Sequence, residues 1–192
     1  ALCANTTASS NVAIGRDAMF VNTTGANNTA VGALALDANT TASNNVAVGL
    51  CSLGANTTGS DNTSVGRKSL VTNTTGASNV AVGVNALFSN TTAAENTAIG
   101  KSALEGNTTG AANTAVGLNA LLDATTATNN TAVGVEALQN ITTGGDNIAM
   151  GRASGETITT GSSNVILGMN AQANANNTVF EVVIGKNATG KG

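Results

Sequence analysis

The sequence predicts an all-β chain, folded as a parallel β-solenoid of about eleven coils of 17 residues each. Three regularities carry that reading. Glycine recurs every 17 residues as Gly15, Gly32, Gly49, Gly66, Gly83, Gly100, Gly117, Gly134, Gly151, Gly168 and Gly185, with no insertion. An aliphatic residue precedes each of them, from Ile14 and Val31 to Leu167 and Ile184. Three residues after each glycine stands Ala or Ser, followed by Met19 and then by Leu in seven successive coils, Leu36 to Leu138.

The segment Asn-(Val/Thr)-Ala-(Val/Ile)-Gly reads as a short strand. Residues two apart share a strand face, so its two β-branched positions point one way and the small residue between them the other. The glycine at its end can take positive φ or let a neighbouring backbone approach closely. Asn opens this strand in ten coils, including Asn28, Asn45, Asn79 and Asn113. Stacked coils bring such amides into register about 4.8 Å apart, where they form a hydrogen-bonded ladder. The Thr pairs, Thr6-Thr7 through Thr159-Thr160, read as a second strand with one hydroxyl in and one out. Each coil is expected to bury about two large aliphatic side chains and several small ones.

Charge marks the corners. Arg16, Arg67, Lys101, Arg152 and Lys186 all follow the repeat glycine. Asp61, Glu95 and Asp146 precede the first strand, and Asp37, Glu105 and Glu156 precede the Thr segment. The post-glycine position also accepts Leu50, Val84, Leu118, Val135 and Met169, which suggests a half-buried rim where subunits meet.

Composition narrows function. Hydrophobic residues are 41% of the chain and charged ones 9%, with no Trp, Tyr, Pro or His, so neither charge-driven disorder nor a thick aromatic core is expected. Nucleic-acid binding would need a basic stripe with stacking aromatics, and no apolar run is long enough to span a membrane. Without histidine there is no Ser/His or Cys/His pair and no imidazole metal site. The acids never recur as a close pair for general acid/base work. The reading is not an enzyme, with no catalytic, metal or cofactor-binding residue. Cys3 and Cys51 lie nearly three coils apart, roughly 13 Å at about 4.8 Å per coil, too far for a disulfide. The Asn-x-Thr triplets match the glycosylation pattern, but Asn-Thr-Thr belongs to the repeat and a chance match is favoured.

The regular solenoid is assigned to residues 1–170. Residues 171–192, with Phe180-Glu181-Val182-Val183 at the usual strand entry, form a degenerate last coil, a cap or a transition. At the front, Ala1-Leu2 already matches the Ala-Leu of the repeat, so a longer fibre or end-to-end stacking is expected. A lone narrow coil buries little against the backbone entropy of its residues. A parallel homotrimer burying a second apolar face is the symmetric remedy.

Asn11-Val12-Ala13-Ile14-Gly15 and echoes such as Asn79-Val80-Ala81-Val82-Gly83 resemble the head repeats of trimeric autotransporter adhesins. The fuller unit Asn113 to Leu121, with Asn107 to Gly110, resembles repeats of phage and viral tail fibres. The likeness covers roughly residues 5–170 and implies a left-handed, homotrimeric β-roll, although the adhesin repeats are usually shorter. A monomeric triangular β-helix is the structural alternative. The expected function is a structural module of an extracellular fibre, an adhesin head or stalk or a tail-fibre shaft. It would act as a rigid rod and repetitive attachment surface at a cell or virion surface. Its partners would be further copies of itself and a cell-surface receptor or glycan. The alternatives are a self-assembling filament subunit stacking end to end, and an ice-binding solenoid presenting rows of Thr.

Overall fold

The computed structural model describes residues 1–191 and is an all-β solenoid of about ten turns. Each coil contributes one three-residue strand: β1 (Val12–Ile14), β2 (Thr29–Val31), β3 (Val46–Val48), β4 (Thr63–Val65), β5 (Val80–Val82), β6 (Thr97–Ile99), β7 (Thr114–Val116), β8 (Thr131–Val133), β9 (Ile148–Met150), β10 (Val165–Leu167) and β11 (Val182–Ile184). They form one parallel sheet in chain order. Every strand pairs with the residues 17 further on, so Val31, Val48 and Val65 are successive register partners.

The strand's polarity is where the structure corrects the expected core. The middle residue, Ala30, Ala47, Ala81, Ala98, Ala115 or Ala132, is fully buried. The β-branched residues on either side of it face outward, half-buried or exposed. Through Leu121 only one large side chain per coil fills the interior: Met19, then Leu36, Leu53, Leu70, Leu87, Leu104 and Leu121; the next coil buries Ile141 beside Leu138. The coil is narrow, and a column of Leu opposite the sheet leaves room on the strand for a methyl group only.

Those leucines reach the interior through an unusual backbone. Leu36 through Leu138 all have φ near +50°, and so do the residues two before them and the residue before each strand-heading Asn. The left-handed region costs a non-glycine residue roughly 1 kcal/mol or more. It persists here because these amides, from the second coil onward, are bonded to a neighbouring coil, as Leu87 N to Ala103 O (3.0 Å) and Asn85 N to Arg67 O (3.1 Å).

The Thr pair is not a second strand. Its residues form a bend, bridged by amides such as Thr74 N and Thr75 N that both donate to Thr91 O (2.8 and 3.3 Å). One carbonyl serving two donors breaks the alternation that a ladder needs, and the first Thr hydroxyl adds a third bond, as Thr74 Oγ1 to Thr91 O (3.1 Å). The solenoid therefore carries one regular sheet along its length.

After residue 150 the core changes hands. Gly155 and Gln172 stand where Leu is expected, and Ile158, Ile166 and Val183 enlarge positions that hold Asn or Ala earlier. The lost leucine volume is replaced from the strand and from the bend. Gln172 bonds outward and back instead, accepting from Thr157 N (3.0 Å) and donating to Ala153 O (2.7 Å).

Candidate interaction face

The repeat glycine carries the turn out of each strand. Gly83 has φ +139°, where L side chains rarely go, and a Cβ there would overlap the carbonyl of Gly100 in the next coil. Both reasons for glycine therefore act together. Its neighbours in the series behave alike, and a Cβ on Gly32 would stand 2.5 Å from the oxygen of Gly49.

Asn28, Asn45, Asn79 and Asn113 sit fully buried at the strand heads. The ladder they form is more than amide to amide. Each Oδ1 accepts the backbone N–H of the next Asn, as Asn28 Oδ1 from Asn45 N (2.9 Å) and Asn62 Oδ1 from Asn79 N (3.0 Å). The Nδ2 reaches across to the bend, as Asn79 Nδ2 to Ala93 O (2.9 Å) and Asn113 Nδ2 to Ala127 O (2.8 Å).

A second ladder, unforeseen as such, runs through Asn22, Asn39, Asn56, Asn73, Asn90 and Asn107, all fully buried. Here Nδ2 donates to the preceding Oδ1, as Asn56 to Asn39 (3.1 Å), and to the carbonyl three residues on, as Asn56 to Gly59 (2.9 Å). The two ladders converge: Asn79 and Asn90 both donate to Ala93 O. The sequence signal was the unbroken Asn before seven Thr pairs. These are six of the seven asparagines of the Asn-Thr-Thr triplets, and their side-chain amides are buried and hydrogen-bonded within the coil.

With glycine and asparagine serving the scaffold, the outer side of the sheet is left as the accessible feature. Across each coil the outward row comprises the residue before the strand-heading Asn, the first and third strand residues, and the residue after the glycine. The exposed large hydrophobics lie on this row, all but Phe20, Val21 and Val179. They include Val46, Leu50, Ile99, Leu118, Val133, Val135, Ile148, Met150 and Met169. The post-glycine rim is more open than expected, since Leu50, Leu118, Val135 and Met169 are exposed. Charges stand at intervals along the two long edges of the row: Asp61, Glu95 and Asp146 along one, and Arg67, Lys101 and Arg152 along the other, where they are interspersed with the apolar post-glycine residues; all six are exposed.

Elsewhere the chemistry is sparse. Cys3 and Cys51 are free thiols. Among the described residues no cluster of His, Cys, Asp or Glu could hold a metal ion, and no helix is long and apolar enough to cross a membrane. Asp17 and Asp37 share a shallow groove with Phe20, Val21 and Leu34. Burial raises the Asp37 carboxyl above its ordinary 3.8; amide hydrogen bonds from Asp37 and Ala38 oppose the shift, and the Asp17 charge adds to it. No family model, curated protein or solved structure matches the chain.

Proposed function

We propose that the chain is a structural module of an extracellular fibre, a rigid rod that associates with copies of itself as a parallel homotrimer. The outer row of the sheet carries this reading. Its third strand column, Ile14 through Ile184, is aliphatic in every coil, and a continuous apolar stripe with charges at intervals beside it is the surface of a protein that meets another surface. Coils joined by backbone bonds around their whole circumference and by two buried amide ladders give the stiffness a shaft requires. The extracellular setting rests on the resemblance of Asn-Val-Ala-Ile-Gly to adhesin-head and tail-fibre repeats. A receptor or glycan would meet the outward Thr row, Thr24 through Thr160, on another side of the coil.

Sedimentation equilibrium and small-angle scattering test this together. The expected particle has three times the 18.6 kDa chain mass and a rod length of about 50 Å, from about ten rises of about 4.8 Å. A monomer at every concentration would remove the proposal. Long unbranched filaments in micrographs would favour end-to-end assembly instead.

A further inference from the structure

The charges on the two edges of the outer row are matched level by level. Asp61 and Arg67 belong to the fourth coil, Glu95 and Lys101 to the sixth, Asp146 and Arg152 to the ninth. Each acid that precedes a strand-heading Asn thus has a base at the far edge of its own coil. Within one chain the partners cannot meet. A strand and its flanks separate them, and at about 3.3 Å per residue the gap is far beyond ion-pair range. Arg16 pairs with its own neighbour Asp17 (3.8 Å), and none of these six side chains takes part in an ion pair among the described residues. Asn44 Nδ2 donates to Asp61 Oδ1 (3.0 Å) and Asn129 Nδ2 to Asp146 Oδ1 (3.1 Å), which holds those carboxylates in place without neutralising them.

We infer that a second copy of this chain docks on the outer row parallel and in register, with Asp61 facing Arg67 of the second copy, Glu95 facing its Lys101, and Asp146 facing its Arg152. This rests on the self-association proposed above and specifies its direction and register. A rotation axis along the solenoid keeps every coil at its own height and brings the basic edge of one copy to the acidic edge of the next. A two-fold across the solenoid instead sets acidic edge on acidic edge, or basic on basic, and reverses the heights. Axial slip by one coil separates all three pairs. The columns between the edges discriminate little: the third strand position is aliphatic in every coil, and the first is either Val or Ile or the near-isosteric Thr. Exposed ion pairs add little affinity, but like charges brought face to face penalise the reversed docking and so set its direction. Register follows from lost pairs, since a one-coil slip leaves none of the three and a two-coil slip leaves at most two, Asp61 with Lys101 and Asp146 with Lys186. Arg16 and Lys186, whose coils carry Ser10 and Phe180 at the other edge, lie in the first and last coils.

The test uses the full chain. The triple variant Asp61→Lys, Glu95→Lys, Asp146→Lys makes both edges basic, and Arg67→Glu, Lys101→Glu, Arg152→Glu makes both acidic. All six side chains are exposed, and circular dichroism should report unchanged coils. Each triple variant is expected to raise the dissociation constant at least tenfold at low salt, and combining both triples in one chain to restore it. Zero-length carbodiimide coupling between heavy- and light-nitrogen copies should join Glu95 to Lys101 of the other copy. Coupling of Glu95 to Lys68 or Lys186 instead would overturn the register. An assembling parent whose triple variants assemble equally well would overturn this inference alone. A monomeric parent would overturn the fibre reading and this inference together.

Discussion

Asn107 and Ala124 mark the end of the inner asparagine ladder. The Oδ1 of Asn107 is buried with no donor facing it, because Ala124 occupies the rung where each earlier coil supplies an asparagine Nδ2. An unsatisfied buried acceptor costs about 1–3 kcal/mol.

This asymmetry predicts a difference between two chemically identical substitutions. Asn56→Ala orphans the Oδ1 of Asn39 and also takes the acceptor from one Nδ2 hydrogen of Asn73. Asn107→Ala orphans the Oδ1 of Asn90 but removes an orphan already present. Asn56→Ala should therefore cost about 1–3 kcal/mol more than Asn107→Ala, measured by denaturant unfolding. Equal losses would mean the ladder bonds do not control stability.

The repeat glycines should be intolerant where turn and contact coincide. Gly83→Val combines positive-φ strain with a clash against the Gly100 carbonyl, and should cost about 3 kcal/mol or more. Gly54, whose φ is not positive, would place a Cβ 3.3 Å from the tip of the Asp37 side chain and no closer than 3.5 Å to any backbone atom. Gly54→Ala should stay within about 1 kcal/mol of the parent. Thermal melts of the two variants make the comparison, and an unchanged midpoint for Gly83→Val would refute the assignment.

Three serines replace core alanines side by side. Ser64 lies 2.7 Å from Ser52 Oγ and 2.6 Å from Ser69 Oγ. Yet Ser52 Oγ also donates to Ser64 O (2.9 Å) and Ser69 Oγ to Gly66 O (3.0 Å). Ser64→Ala removes one hydroxyl and leaves neither neighbour without an acceptor. The expected change is below about 1 kcal/mol; a loss of several would show that the hydroxyls act as an indivisible network.

Asp37 supplies a pH dependence with a definite sign. Its folded pKa lies above the unfolded value, so the folded chain binds the proton more tightly. Stability therefore falls as pH rises from about the ordinary carboxylate value of 3.8 through the raised folded one. Asp37→Asn keeps an acceptor for the Asp37 and Ala38 amides without the charge. It should stabilise the chain above that window and flatten the slope within it, as urea titrations across acidic pH would show. An Asn variant with the parent's slope would assign the effect elsewhere.

The period, the strand and its register were legible in the sequence, because an uninterrupted 17-residue repeat allows equivalent residues only one stacking. The glycine series was legible for the same reason, and Gly83 satisfies both the dihedral and the contact argument. Alternation told that Val80 and Val82 share a face opposite Ala81, but not which face is the interior. Only the tertiary structure decided that: Leu87, held in the left-handed region, occupies the centre, so a methyl is all that fits opposite. The Thr pair looked like a strand because Thr favours one, and became a bend because Thr91 O binds two amides from the coil before. The level-matched charges were present in the sequence throughout. They acquired meaning only when the fold placed Asp61 and Arg67 on opposite edges of one exposed row.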